Sequence, residues 1–262
     1  SIGSSTIKMS DGDDSVIFSG QGGSGFSQFR GMTTNLGEGD DFAFVNGLAS
    51  ASGSILRGNT GNDQISFATV AGAATAHDVA IAGGAGDDGI TVGLTGTEAS
   101  DIEIRGGAGT DTISATFGTV SASVVTGGLN GALIKGNKND DIIIAELNGT
   151  SDSVVLRGNS GADTFGISVS ADATNLLVAG GKQNDSITAN FATGISSVAT
   201  TLRGDLGEDT IVLSLSSGGF AETTNVLGGS GNDVLTVSHN GGLAGTAGFL
   251  FGDFNTFGGG TG

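Results

Sequence analysis

The 262-residue chain has no cysteine, no proline, no tryptophan and no tyrosine. Without cysteine no disulfide staples the fold, and the redox compartment cannot be read from one. The missing proline argues against Pro-rich low-complexity disorder. Positive charge is scarce too: 9 Lys plus Arg stand against 27 Asp plus Glu, for a net charge of −18. That balance excludes nucleic acid, which demands basic patches. It also argues against anionic membrane surfaces and favours cations as partners. No apolar run of 18 residues occurs, so no membrane-spanning helix is expected. Ser1 opens the chain with no signal-peptide pattern, so a processed protein or a fragment is expected.

What the chain has in excess is glycine, 51 residues, beside a 37% hydrophobic content. Disordered glycine-rich segments lack such apolar content. These glycines therefore serve an ordered structure with many unusual backbone angles. Self-similarity shows which one. An aspartate anchors each of ten repeats: Asp14, Asp41, Asp63, Asp88, Asp111, Asp141, Asp163, Asp185, Asp209 and Asp233. Five residues before the anchor stands glycine in eight repeats (Gly58, Gly83, Gly106, Gly136, Gly158, Gly180, Gly204, Gly228). Two before it stands glycine in eight again, among them Gly61, Gly86, Gly109, Gly161, Gly207 and Gly231. Seven before the anchor lies an apolar residue in nine of ten, such as Leu56, Ile81 and Ile104. Two and four after it lie more, as in Ile65 with Phe67 and Ile90 with Val92. That alternation is a strand with one buried face.

Each unit therefore reads strand, glycine turn, strand and a looser connection. The fold class is all-β: a right-handed parallel β-solenoid of about 10–11 coils of roughly 24 residues, with the motif turn on one edge. The repeats fill residues 1–248, and residues 249–262 form a Phe-rich terminal coil and Gly-rich tail. The longer spacings before Asp41 and Asp141 predict bulges at Gly20–Phe29 and Thr119–Gly131.

Stacked coils put the anchors in a column about 5 Å apart, where like charges repel by roughly 1 kcal/mol per neighbour even in water. Ca²⁺ takes six to eight oxygens from carboxylates and carbonyls, and a glycine turn can turn its carbonyls inward. The ten anchors are the candidate metal ligands, several Ca²⁺ per chain. Carbonyls of Gly58, Gly61, Gly83, Gly86, Gly106, Gly109, Gly158, Gly161, Gly204, Gly207, Gly228 and Gly231 would complete the shells. The competing reading is a metal-free Asp/Asn ladder whose turn side chains cap their own backbone. Two repeats lose the second glycine column and gain a lysine, so Lys138 and Lys182 are candidates to stand in for a metal. A basic stripe runs six residues before the anchors: Lys8, Arg57, Arg105, Lys135, Arg157 and Arg203. It either pairs with acids near the anchors or is solvated.

The turn resembles the RTX nonapeptide, G-G-x-G-x-D-x-U-x, a Ca²⁺-binding repeat. Residues 83–91 and 228–236 match it in full, and the likeness covers about 220 residues. The resemblance implies secretion and folding in Ca²⁺-rich medium. Known RTX coils are tighter, with the motif on both edges, so the ion count does not carry over.

Other chemistry is thin. A G-x-G-x-x-G run at 84–89 is followed by a strand, where a dinucleotide site needs a helix. His77 and His239 have no partner pattern, and no triad spacing occurs. Paired carboxylates such as Asp40-Asp41 and Asp140-Asp141 recur along the anchor column, unlike a glycosidase pair. With no Trp or Tyr for sugar stacking, a polysaccharide-acting enzyme is disfavoured and no enzyme is expected. The expected function is an extracellular structural protein of the bacterial cell surface or matrix, a calcium-stabilised subunit of a filament, sheath or surface layer. Its expected partners are copies of itself, end to end or lateral, with cell-surface polysaccharide a further candidate. The alternative is the repeat region of a larger type I-secreted toxin, protease or adhesin. Phe249, Phe251, Phe254 and Phe257 are the candidate end interface, with Phe257 counted 24 residues after Asp233, where an eleventh anchor is due.

Overall fold

The computed structural model describes residues 4–19, 28–69, 74–96, 98–121, 124–126, 128–216, 220–222, 224–239, 249–251 and 256–259. Every described regular element is a strand. Two parallel sheets run the length of the solenoid, each with a spine of eleven strands in which successive coils pair. The first sheet takes the strand before each motif turn, for example Ser50–Thr60 and Thr75–Ala85. The second takes the strand after it, for example Gln64–Thr69 and Gly89–Leu94. The all-β, parallel β-solenoid of roughly 24-residue coils is therefore as the repeat predicts.

Register places like on like. Ile90, Ile113 and Ile143 stack in the second sheet, and Leu56, Ile81, Ile104 and Ile134 in the first. These columns face each other across one continuous core that runs from Val16 to Leu235. Ladders of branched side chains on parallel strands suit this narrow interior, because each methyl meets its counterpart one coil away. One member departs: Thr34 fills the apolar column seven before Asp41, fully buried with an unpaired hydroxyl.

A feature absent from the repeat reading is a corner ten residues before the anchor. Gly31, Gly53, Asp78, Asp101, Gly131, Ser153, Asn175 and Ala199 all have positive φ, between 52° and 71°. Pairing skips this position, running from Ser52↔His77 to Ser54↔Val79. The corner splits the first sheet into a short limb and a long limb, so the coil has three sides where two strands and two turns were expected. The short limb buries mostly small residues in register, Ala51, Ala76, Ala99, Ser151 and Ala173, with the larger Leu129 among them. Non-glycine corners are mostly Asp and Asn, which tolerate this left-handed region.

The 30-residue spacing before Asp141 is taken up by an antiparallel hairpin, Thr119–Ser121 with Val124–Thr126. The projection is shorter than the Thr119–Gly131 that the spacing predicts, because Gly128–Asn130 already pair with Glu98–Ser100 in the first sheet. Of the first predicted bulge, Gly20–Phe29, residues 20–27 lie outside the described residues, while Gln28 and Phe29 belong to the coil: they pair with Ser50 and Ala51, and Phe29 is buried in the core. At the far end, Phe249–Phe251 and Thr256–Gly259 continue the two sheets. Phe257 pairs with Leu235, the apolar position two past the anchor. It therefore does not occupy the anchor column, because the last coil is shorter than the mean period assumed. Phe254 lies outside the described residues.

Candidate metal centre

The anchors turn inward. From Asp41 to Asp233 each is at most 3% exposed, while Asp14 at the first coil is half-buried. Each motif turn from Asp41 to Asp233 is made by two residues of positive φ. Four before the anchor these are Gly, Asn or Asp, as in Asn59, Gly84 and Asp205; two before it they are mostly Gly. In the lysine-bearing turns Asn139 and Gln183 take that second place, at φ 70° and 74°. This explains why the glycine column breaks there without breaking the turn.

From Asp41 to Asp233, one oxygen of each anchor carboxylate is engaged by the preceding coil. The Asp63 N–H donates to Asp88 Oδ1 at 2.8 Å, Asp88 N–H to Asp111 at 2.9 Å, and Asp111 N–H to Asp141 at 2.8 Å. The same bond recurs from Asp14 to Asp233. The residue before the anchor forms a second, exposed ladder in the opposite direction, as in Asn62 N–H to Asp40 Oδ1 and Asp87 N–H to Asn62 Oδ1. Side chains therefore cap the neighbouring coil and not their own backbone.

The other anchor oxygen is orphaned. Oδ2 of Asp41, Asp63, Asp88, Asp111, Asp141, Asp163, Asp185, Asp209 and Asp233 is buried with no hydrogen-bond partner. It lies where the glycine five residues earlier has no side chain. A Cβ on Gly58 would fall 1.9 Å from Asp63 Oδ2 and 2.4 Å from the Gly83 carbonyl oxygen. Gly158 and Gly204 repeat this with Asp163 and Gly180, and with Asp209 and Gly228. The glycine column is thus a cradle in which a bare carboxylate oxygen approaches a carbonyl of the next coil. Gly106→Ala would put a Cβ 2.2 Å from Asp111 Oδ2. It is expected to cost about 2–4 kcal/mol, on the scale of core overpacking and lost networks, read as a lowered urea midpoint.

Two acceptor oxygens facing each other in a dry column demand a proton or a cation. Burial, the largest influence, pushes the carboxyls up from 3.8: Asp63, Asp111, Asp163 and Asp209 to about 6, Asp88 and Asp185 to about 7, and Asp141 to about 8. The stacked neighbours add repulsion, Asp111 and Asp163 on Asp141 for instance, while the donated N–H opposes both. An asparagine would satisfy the column without charge, since its amide could donate to the nearby carbonyl. Ten repeats carry aspartate and none asparagine. The donor set, hard oxygen from carboxylate and carbonyl, fits Ca²⁺. Among the described residues no three His, Cys, Asp or Glu gather into a cage, so any cation here draws on backbone oxygens, as the sequence reading expects. Asp111→Asn separates the two neutralising agents: it should stabilise the chelated protein and destabilise the calcium-loaded one, by melting temperature in each condition.

Lys138 and Lys182 are exposed, three residues before their anchors, while the anchors point inward. Among the described residues neither makes an ion pair. The basic stripe is likewise outward, and among the described residues only Arg105 with Glu103 and Arg203 with Asp205 form ion pairs. His77 Nδ1 contacts Ser100 Oγ on the outer short limb, beside a shallow groove of about 570 Å³.

Fold and site define a parallel β-solenoid with an interior aspartate column. No known protein family matches the chain, and no curated protein does. The chain is similar to the crystal structure of a hyperactive, Ca²⁺-dependent, β-helical antifreeze protein from an Antarctic bacterium. The two share 19% identity at a TM-score of 0.56, over 95% of this chain and 75% of the other. That likeness is one of fold.

Proposed function

We propose that the chain is an RTX-like, calcium-stabilised structural protein of the cell exterior, a subunit of a filament, sheath or surface layer. The observation that carries this reading is the column of nine buried, partnerless Asp Oδ2 atoms. Ca²⁺ held by Oδ2 and by the carbonyls of Gly83, Gly180 and Gly228 and their counterparts would neutralise it. Bound ions would supply the positive charge that the interior otherwise lacks and tie each coil to the next. The Ca²⁺ dependence of the structurally similar antifreeze protein supports the reading. Extracellular calcium is abundant enough to load such sites. Negative-stain imaging with and without EDTA tests it: calcium-dependent assemblies are expected. Single rods under both conditions would overturn the structural role.

A second reading is favoured by the outer face of the second sheet. Its outward columns carry Thr112, Thr164 and Thr210, and Thr91, Thr188 and Thr236, with Glu146 the one charged residue among those of the described anchored coils. A flat, regular, nearly uncharged face suits ordered water, as in an ice-binding protein. Thermal hysteresis in a freezing assay would favour this reading over the first.

A further inference from the structure

The basic stripe is the largest feature that the calcium column leaves unused. Six of the nine Lys and Arg residues of a chain with net charge −18 stand in one column of the long limb's outer face. Pairing sets the order Lys8, Asn35, Arg57, Ala82, Arg105, Lys135, Arg157, Ala179, Arg203. Arg105, Lys135 and Arg157 thus sit on three successive coils, about 4.8 Å apart. Like charges at that distance oppose folding, so the row has no stabilising role of its own. Among the described residues Lys8, Arg57, Lys135 and Arg157 form no ion pair. Where Ala82 interrupts the row, a groove of about 90 Å³ opens between Arg57 and Arg105.

A second row, of opposite sign, stands one residue before the anchors. Asp13, Asp40, Asp87, Asp140 and Glu208 are all exposed there. The two rows lie on different sides of the turn and do not pair within the molecule. They share one pitch, because each advances by one coil. Half-buried Leu133 and Val155 stand beside the basic row, and exposed Phe42 and Ile142 beside the acidic one.

We infer that the basic row of one copy docks on the acidic row of a second copy. This rests on the proposed self-association and gives it a lateral face. The acidic row is interrupted by Asn62, Thr110, Ala162, Asn184 and Asn232, but with a one-coil offset the equal pitch sets Arg57, Arg105 and Arg157 of one copy opposite Asp40, Asp87 and Asp140 of the next. Because the two rows are different surfaces, the contact is heterologous. It therefore propagates into ribbons or sheets of parallel rods instead of closing as a dimer.

The test uses the full chain in calcium. The triple variant Arg105→Glu, Lys135→Glu, Arg157→Glu is expected to keep its circular dichroism and melting temperature. In sedimentation velocity it should lose assembly at least tenfold in concentration dependence. The variant Asp87→Lys, Asp140→Lys should fail to assemble alone and co-assemble when mixed with the triple variant. Should it not fold, salt decides: wild-type assembly should dissolve near 0.5 M NaCl, as exposed charge pairs do. Assembly of the triple variant as wild type would overturn the inference while leaving the structural role intact. A wild type that stays monomeric in calcium would overturn both. If the row instead retains an acidic polysaccharide column without self-association, the partner is that polyanion and the inference is wrong.

Discussion

Chelation is expected to lower the melting temperature of this protein by about 10–20 °C or more. A ligand that binds only the folded state stabilises by about 2.7 kcal/mol per site when present at a hundredfold excess over its dissociation constant. Losing two ions therefore removes about 5 kcal/mol. Domains are held by only about 5–15 kcal/mol in all, and each kcal/mol shifts the midpoint of a chain this size by about 2–4 °C. The solenoid sharpens the effect. Each coil is stabilised only by its neighbours, and the column lies at every coil interface from Asp41 to Asp233. Loss of the ions weakens all these interfaces together. Differential scanning calorimetry in millimolar CaCl₂ and in EDTA is the measurement, and coincident transitions would contradict the expectation.

The second large effect is a reversal of pH dependence. In the chelated protein burial raises seven anchors, Asp63, Asp88, Asp111, Asp141, Asp163, Asp185 and Asp209, to about 6 to 8, above the 3.8 of an unperturbed aspartate. The folded state then binds more protons than the unfolded one. Stability is fully present near pH 4 and is lost as pH rises through 6 to 8. A single carboxyl raised by about two is worth about 3 kcal/mol, so the metal-free midpoint should fall by about 10 °C between pH 5 and pH 8. Calcium needs the carboxylates ionised, so the loaded protein should gain stability over the same window. The two curves should cross. Parallel curves would mean that calcium and protons do not compete for the column.

Much of this was legible from residues. The period, the anchors and the apolar columns were visible because parallel stacking forces like residues onto like. The glycine five before the anchor was visible as a pattern, but its cause was not. It is the inward turn of the carboxylate that places Oδ2 where a Cβ would be. The corner at Gly31, Gly53, Asp78, Asp101, Ser153 and Ala199 has no single sequence signature, because any residue that tolerates a positive φ suffices there. Phe257 was misplaced because one mean period was counted through the last coil, whereas pairing with Leu235 sets a coil of 22 residues. The lysines at 138 and 182 read as intruders on the column. Their exposure follows from their place at the outer apex of the turn, between two positive-φ residues.

The central claim is that cations neutralise the buried aspartate column. Equilibrium dialysis of the chelator-stripped protein against radioactive calcium at pH 7.5 addresses it most directly. The account predicts several Ca²⁺ per chain, saturating in the millimolar range or below and released at pH 5. No bound calcium at millimolar concentrations, with the solenoid still folded, would contradict it.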